Sequence, residues 1–132
     1  MRLRNTTKIP NSTVREVVRL VKPPGIGNID VMVKNTSGRV PVGAAYLEGS
    51  PWHATPNLFV VARIPERTPH DQRTYFDRIE MLVWMLAHEF RHIWQTKHPK
   101  GWRVWGARGQ FSENDCDAYA TRKVRDWRRR QA

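Results

Sequence analysis

Two histidines four residues apart, His88 and His92 in the stretch LAHEFRHIWQ (86–95), are the residues of this chain best spaced to do chemistry together. On a helix that spacing puts both imidazoles on one face, one turn apart, within reach of a single metal ion. Glu89 is turned about 100° from His88. It is too far round to share the coordination easily, but it can reach a water on the ion's open side. The pattern His-Glu-x-x-His therefore offers two zinc ligands and a general base. Burying such groups without partners is costly, and this stretch lies in the most apolar segment of the chain. The plain alternative is a hydrogen-bonded pair of core histidines beside a surface salt bridge.

A catalytic zinc site takes at least a third protein ligand and leaves one position to water. The segment SENDCDAYA (112–120) supplies three acids. Glu113 and Asp117 are four apart and share a helix face. Asp115 suits the third position of a capping box opened by Ser112, and is the substitute third ligand should Glu113 not serve. Glu113 would equally suit the dipole at a helix start, and Asp117 could be an ordinary surface acid. Cys116, the single cysteine, excludes an internal disulfide, fits a reducing compartment, and reads as a small buried residue.

His88-Glu89-x-x-His92 followed by Glu113-x-x-x-Asp117 resembles the gluzincin arrangement of thermolysin-like zinc peptidases. The block from Glu113 to Ala120 is similar to the corresponding segment of membrane-anchored gluzincins and of the small ImmA/IrrE-like metallopeptidases. The resemblance implies one Zn2+ held by His88, His92 and Glu113, with Glu89 as catalytic general base. Asp117 would accept a hydrogen bond from a ligand histidine's other ring nitrogen. It implies a zincin-like α+β fold: a small, mainly antiparallel three-stranded sheet packed on a central active-site helix and a C-terminal glutamate helix. It also makes 42–47 an edge strand to which a peptide or protein substrate could add by backbone hydrogen bonds. Arg91 stands where many relatives have glycine, so its side chain must reach solvent or an acid. No residue matches the oxyanion-stabilising group of larger relatives; His98, Arg108 and Tyr119 are candidates by type. SprT-like proteases also pair His-Glu-x-x-His with DNA association, but their third ligand is expected to be a histidine, and His98 lies too close in sequence.

These residues need a scaffold. Val14, Val17, Val18 and Val21 recur at helical spacing, and the residues 23–28, PPGIGN, break that helix. Three strand-like runs follow, at 29–35, 40–49 and 58–64. Pro41 places the second at an edge or delays its start. Phe76, Ile79, Leu82, Val83, Leu86, Phe90 and Ile93 then mark a helix over about 70–97. It is apolar nearly all round and therefore central, with Thr68-Pro69 or Thr74 and Asp77 as capping candidates. The chain reads as one domain: a helix and linker (1–27), sheet (28–65), active-site helix (68–98), loop (99–111) and C-terminal helix (112–130). The pair Trp52-His53 reads as the cap of a sheet end, with the lining of a substrate pocket as the alternative.

The 132 residues allow one core. No run of 18 apolar residues predicts a membrane span, and the N-terminus lacks the apolar region of a secretory signal, which predicts a cytoplasmic protein. The net charge of +11 is uneven: residues 1–22 hold six basic residues against one acid, and 99–132 hold nine against four. Basic ends suit a nucleic acid or another polyanion, as does the Trp- and Arg-rich stretch 100–110. A second expectation follows, of a nucleic-acid-associated protein or an assembly component, as in a phage particle. In that reading the zincin core is a scaffold or acts on DNA-bound proteins.

Overall fold

The computed structural model describes residues 1–48, 57–67, 77–97 and 110–131. In chain order its elements are β1 (Leu3–Asn5), α1 (Asn11–Val21), β2 (Asp30–Thr36), β3 (Val42–Glu48), β4 (Asn57–Pro65), α2 (Arg78–Lys97) and α3 (Gln110–Gln131). The class is α+β. The strands form one four-stranded sheet in the order β1-β2-β4-β3.

The sheet is mixed, which corrects the expected mainly antiparallel sheet of three strands. β2 runs parallel to both β1 and β4, and only β3 is antiparallel, to β4. The reason is α1, which carries the chain back across the sheet so that β2 enters parallel to β1, as a helical crossover does. Gly25 and Gly27, with φ of +81° and +80°, turn the chain after that helix. Parallel pairing of β2 with β4 follows because β3, between them in sequence, is placed outside β4. Val42 is the first residue of β3, just after Pro41, and β3 lies at the sheet edge, where a residue without an N–H does least harm.

One sheet face is the core face. Val31, Val33, Val60, Ala62 and Ile64 are buried there, and Gly43 and Ala45 of β3 stand opposite Ala62 and Val60. The four valines of α1 are buried, as their spacing predicts. In α2 Met81, Leu82, Val83, Leu86, Ala87 and Phe90 are all fully buried. This near-complete apolar circumference has its counterpart in the packing of α2 against β3, β4, α1 and α3.

Asp77 starts α2: its carboxylate accepts the Glu80 backbone N–H at 2.8 Å. The described helix thus begins at Arg78, and the remainder of the predicted 68–98 span, 68–76 and His98, lies outside the described residues. Arg78 locks the helix start to the sheet, donating to the Pro65 carbonyl at 2.9 Å and to Asn35 at 2.6 Å. The predicted capping box at Ser112 is not what the structure has. α3 already begins at Gln110, and Ser112 and Asp115 turn toward α2, where they find side-chain partners. No described helix is long and apolar enough to cross a membrane.

Candidate metal centre

α2 and α3 run antiparallel and are clasped at both ends. Glu80, 5% exposed, accepts from Arg128 at 2.6 and 2.9 Å. Toward the other end, Arg91 grips both oxygens of Asp115 at 2.7 and 3.2 Å. The Arg91 charge is therefore met by an acid, and its guanidinium also lies 3.8 Å over the Trp94 ring. Burial works against the Asp115 charge. Hydrogen bonds from Arg91 and Gln95, with the charges of Arg91 and Arg122, outweigh it and hold the pKa below the ordinary value.

Between the clasps the predicted residues meet. His88 Nε2 and His92 Nε2 are 3.2 Å apart. Glu113 faces both, with Oε2 3.1 Å from His88 Nε2 and Oε1 2.9 Å from His92 Nε2. A tetrahedral ion with bonds of 2.0–2.1 Å holds its donor atoms about 3.3 Å apart, close to this triangle. Three electron-pair donors aimed at one point also repel unless positive charge lies between them. Asp117 Oδ1 stands 2.9 Å from His88 Nδ1. It is not in line with a ring N–H, so that buried nitrogen lacks a well-directed hydrogen bond. His88, His92, Glu113 and Asp117 are placed where they could form a metal site.

The two histidines differ in setting. His88 is buried and stacks on Trp84, one turn earlier, with centroids 5.1 Å apart. Burial, and then the neighbouring His92, lower its pKa, while Glu113 and Asp117 oppose that shift. At the ring's other nitrogen His92 has Gln95 Oε1 at 3.3 Å and Ser112 Oγ at 3.4 Å.

Glu89 is only 6% exposed, and burial, reinforced by the charge of Glu113, raises its pKa to about 7. That value suits a group that accepts and returns a proton near neutrality. Edge strand β3 passes directly above it. A Cβ added to Gly43 would come 2.9 Å from Glu89 Cγ and 2.9 Å from Met85 Cε, so only glycine lets the strand lie this near.

Three residues of this site escaped the sequence reading. Gln95 and Ser112 are two of them; the signal for Gln95 was its place three after His92, on the same face. Cys116, fully buried as expected, is the third: its thiol lies within 4.8 Å of a nitrogen of each histidine. Burial, then the charges of Asp115 and Glu113, push that thiol's pKa up. Tyr119 is not an oxyanion group: its hydroxyl donates to the Val21 carbonyl, joining α3 to α1. His98, Arg108 and the pair Trp52-His53 lie outside the described residues. Comparison with protein-family models, curated proteins and solved structures returned no match to this chain.

Proposed function

We propose that the protein is a zincin-like, zinc-dependent peptidase of gluzincin type. The observation that carries this reading is the convergence of His88, His92 and Glu113 on one point, with the buried Glu89 beside it. Two imidazoles and a carboxylate suit zinc, which would polarise a substrate carbonyl and make its bound water nucleophilic near neutral pH. Glu89 takes a proton from the water that attacks the carbonyl carbon, and delivers it to the amide nitrogen as the C–N bond breaks. Its raised pKa suits both steps. Asp117, 2.9 Å from His88 Nδ1, is the acid near enough to orient that ring once a ring N–H turns toward it. The outer edge of β3, above Glu89, is the place for an extended peptide to pair.

Elemental analysis and a peptide-hydrolysis assay test the reading. The wild type should carry about one zinc per chain, Glu113→Ala should lose it, and Glu89→Gln should keep the metal while losing hydrolysis. A Glu89→Gln protein as active as the wild type would overturn the mechanism.

A second reading rests on α3. Arg122, Arg125 and Arg129 are exposed along one side of the helix, an arrangement suited to phosphates. In this reading the chain is a nucleic-acid-associated or assembly protein whose core is a scaffold. DNA affinity that falls steeply with added salt, in a protein without hydrolytic activity, would favour it over the first.

A further inference from the structure

We infer that Gln95 is a positioning residue that sets the tautomer of His92, holding a proton on Nδ1 so that the Nε2 lone pair faces Glu113 and His88. The inference deepens the metal reading and rests on it for its consequence, but the tautomer itself can be read without metal.

The argument is one of donors and acceptors. Gln95 is 3% exposed, and its amide nitrogen lies 3.1 Å from the Ser112 carbonyl and 3.0 Å from Asp115 Oδ2. Both partners only accept, and an amide nitrogen has two protons to give. The amide therefore cannot flip: reversed, its oxygen would face two acceptors, and Arg91 keeps Asp115 in place. With the nitrogen assigned, Oε1 must face His92 Nδ1, 3.3 Å away.

Ser112 points the same way. Its hydroxyl is 2.6 Å from Gln95 Oε1 and 3.4 Å from His92 Nδ1. Its single proton goes to the nearer oxygen, leaving a lone pair toward the ring. His92 Nδ1 thus meets two acceptors and no donor, so it carries the proton. The neutral ring has one proton, so Nε2 is bare, the form a metal requires. His88 receives an acid, Asp117, in the equivalent place; His92 receives a neutral amide fixed from three sides.

The test uses Gln95→Met, which keeps the length and removes the hydrogen bonds, and Ser112→Ala, which removes the hydroxyl and leaves Gln95 Oε1 facing Nδ1. Two readouts are used. Long-range 1H–15N spectra at pH 8 report the His92 tautomer in chelator-treated protein, and competition with a chromogenic chelator reports Zn2+ affinity. The wild type should show the Nδ1–H form. Gln95→Met should show an Nε2–H population and bind Zn2+ about 10–100-fold more weakly. Ser112→Ala should keep the Nδ1–H form and most of the affinity. An unchanged His92 spectrum in Gln95→Met would reduce Gln95 to a packing role and overturn the inference, as would an equal Nε2–H population in Ser112→Ala. Should Gln95→Met not fold, Ser112→Ala still decides: a retained Nδ1–H form supports Gln95 as the residue that sets the tautomer, and an Nε2–H population overturns it. A wild type that binds no Zn2+ overturns the metal reading alone, since the ring spectra still decide the role of Gln95.

Discussion

Replacing Glu89 by glutamine should make the metal-free protein more stable, and only above a definite pH. The carboxyl ordinarily has a pKa of 4.5, and in the fold burial and Glu113 raise it to about 7. A raised value means the folded state keeps this proton while the unfolded chain has released it. The group's contribution is therefore fully present below pH 4.5 and is lost as pH rises through about 7. At about 1.4 kcal/mol per pH unit, the charged carboxylate costs the fold about 3 kcal/mol above neutrality. Glutamine is neutral throughout. Urea denaturation with chelator present should give similar stabilities for wild type and Glu89→Gln near pH 4.5, and a variant about 3 kcal/mol more stable at pH 8. His88, with its lowered pKa, has the opposite slope: its contribution is lost as pH falls below 6.5. It is common to both proteins and cancels in the difference. Added Zn2+ should shrink the gap, because a nearby cation favours the charged carboxylate. A difference that is absent at pH 8, or the same at both pH values, would refute the reasoning.

Three further substitutions test the frame around the site. Gly43→Ala sets a methyl group 2.9 Å from Glu89 Cγ and Met85 Cε, so urea denaturation should show a loss of about 1–2 kcal/mol; an unchanged midpoint would mean that β3 stands farther from α2. Tyr119→Phe removes the hydroxyl bonded to the Val21 carbonyl and should cost about 1–2 kcal/mol while leaving Zn2+ affinity within about twofold, read by calorimetry. Arg128→Met takes a guanidinium from the buried Glu80. It should cost about 2 kcal/mol, below the full value for a buried pair because Arg128 is partly exposed, and adding Glu80→Gln should recover part of that loss.

What was legible in the sequence is what a single helix can specify. Four-residue spacing in the pairs His88/His92 and Glu113/Asp117 states which side chains share a face, and the apolar spacing of α2 states that it is central. Spacing does not identify the facing partner. Ser112 and Asp115 are three apart, which fits a capping box and fits equally two residues on one helix face; the partners that decide between these, Gln95 and Arg91, lie 17 and 24 residues away in sequence. β1 was missed because its three residues are too few to display an alternation. The parallel pairing of β2 with β4 depends on which side of β4 the intervening strand takes, and nothing local records that choice. Gly43 had no signal at all: its meaning comes from a helix about forty residues downstream.

The site itself follows from helix register. Along α2 the residues Glu80, His88, Arg91 and Gln95 meet Arg128, Asp117, Asp115 and Ser112 of α3, so each step forward on one helix is matched by a similar step back on the other. Sliding α3 by a single turn, about 5.4 Å, would unmake all of these pairs together and carry Glu113 away from both imidazoles. Two of the pairs are ion pairs with one partner buried or half-buried, where a lost partner is costly. The charges that flank the site thus do what His88, His92 and Glu113 cannot do for themselves: they select the one register in which a motif on each helix becomes a single cluster.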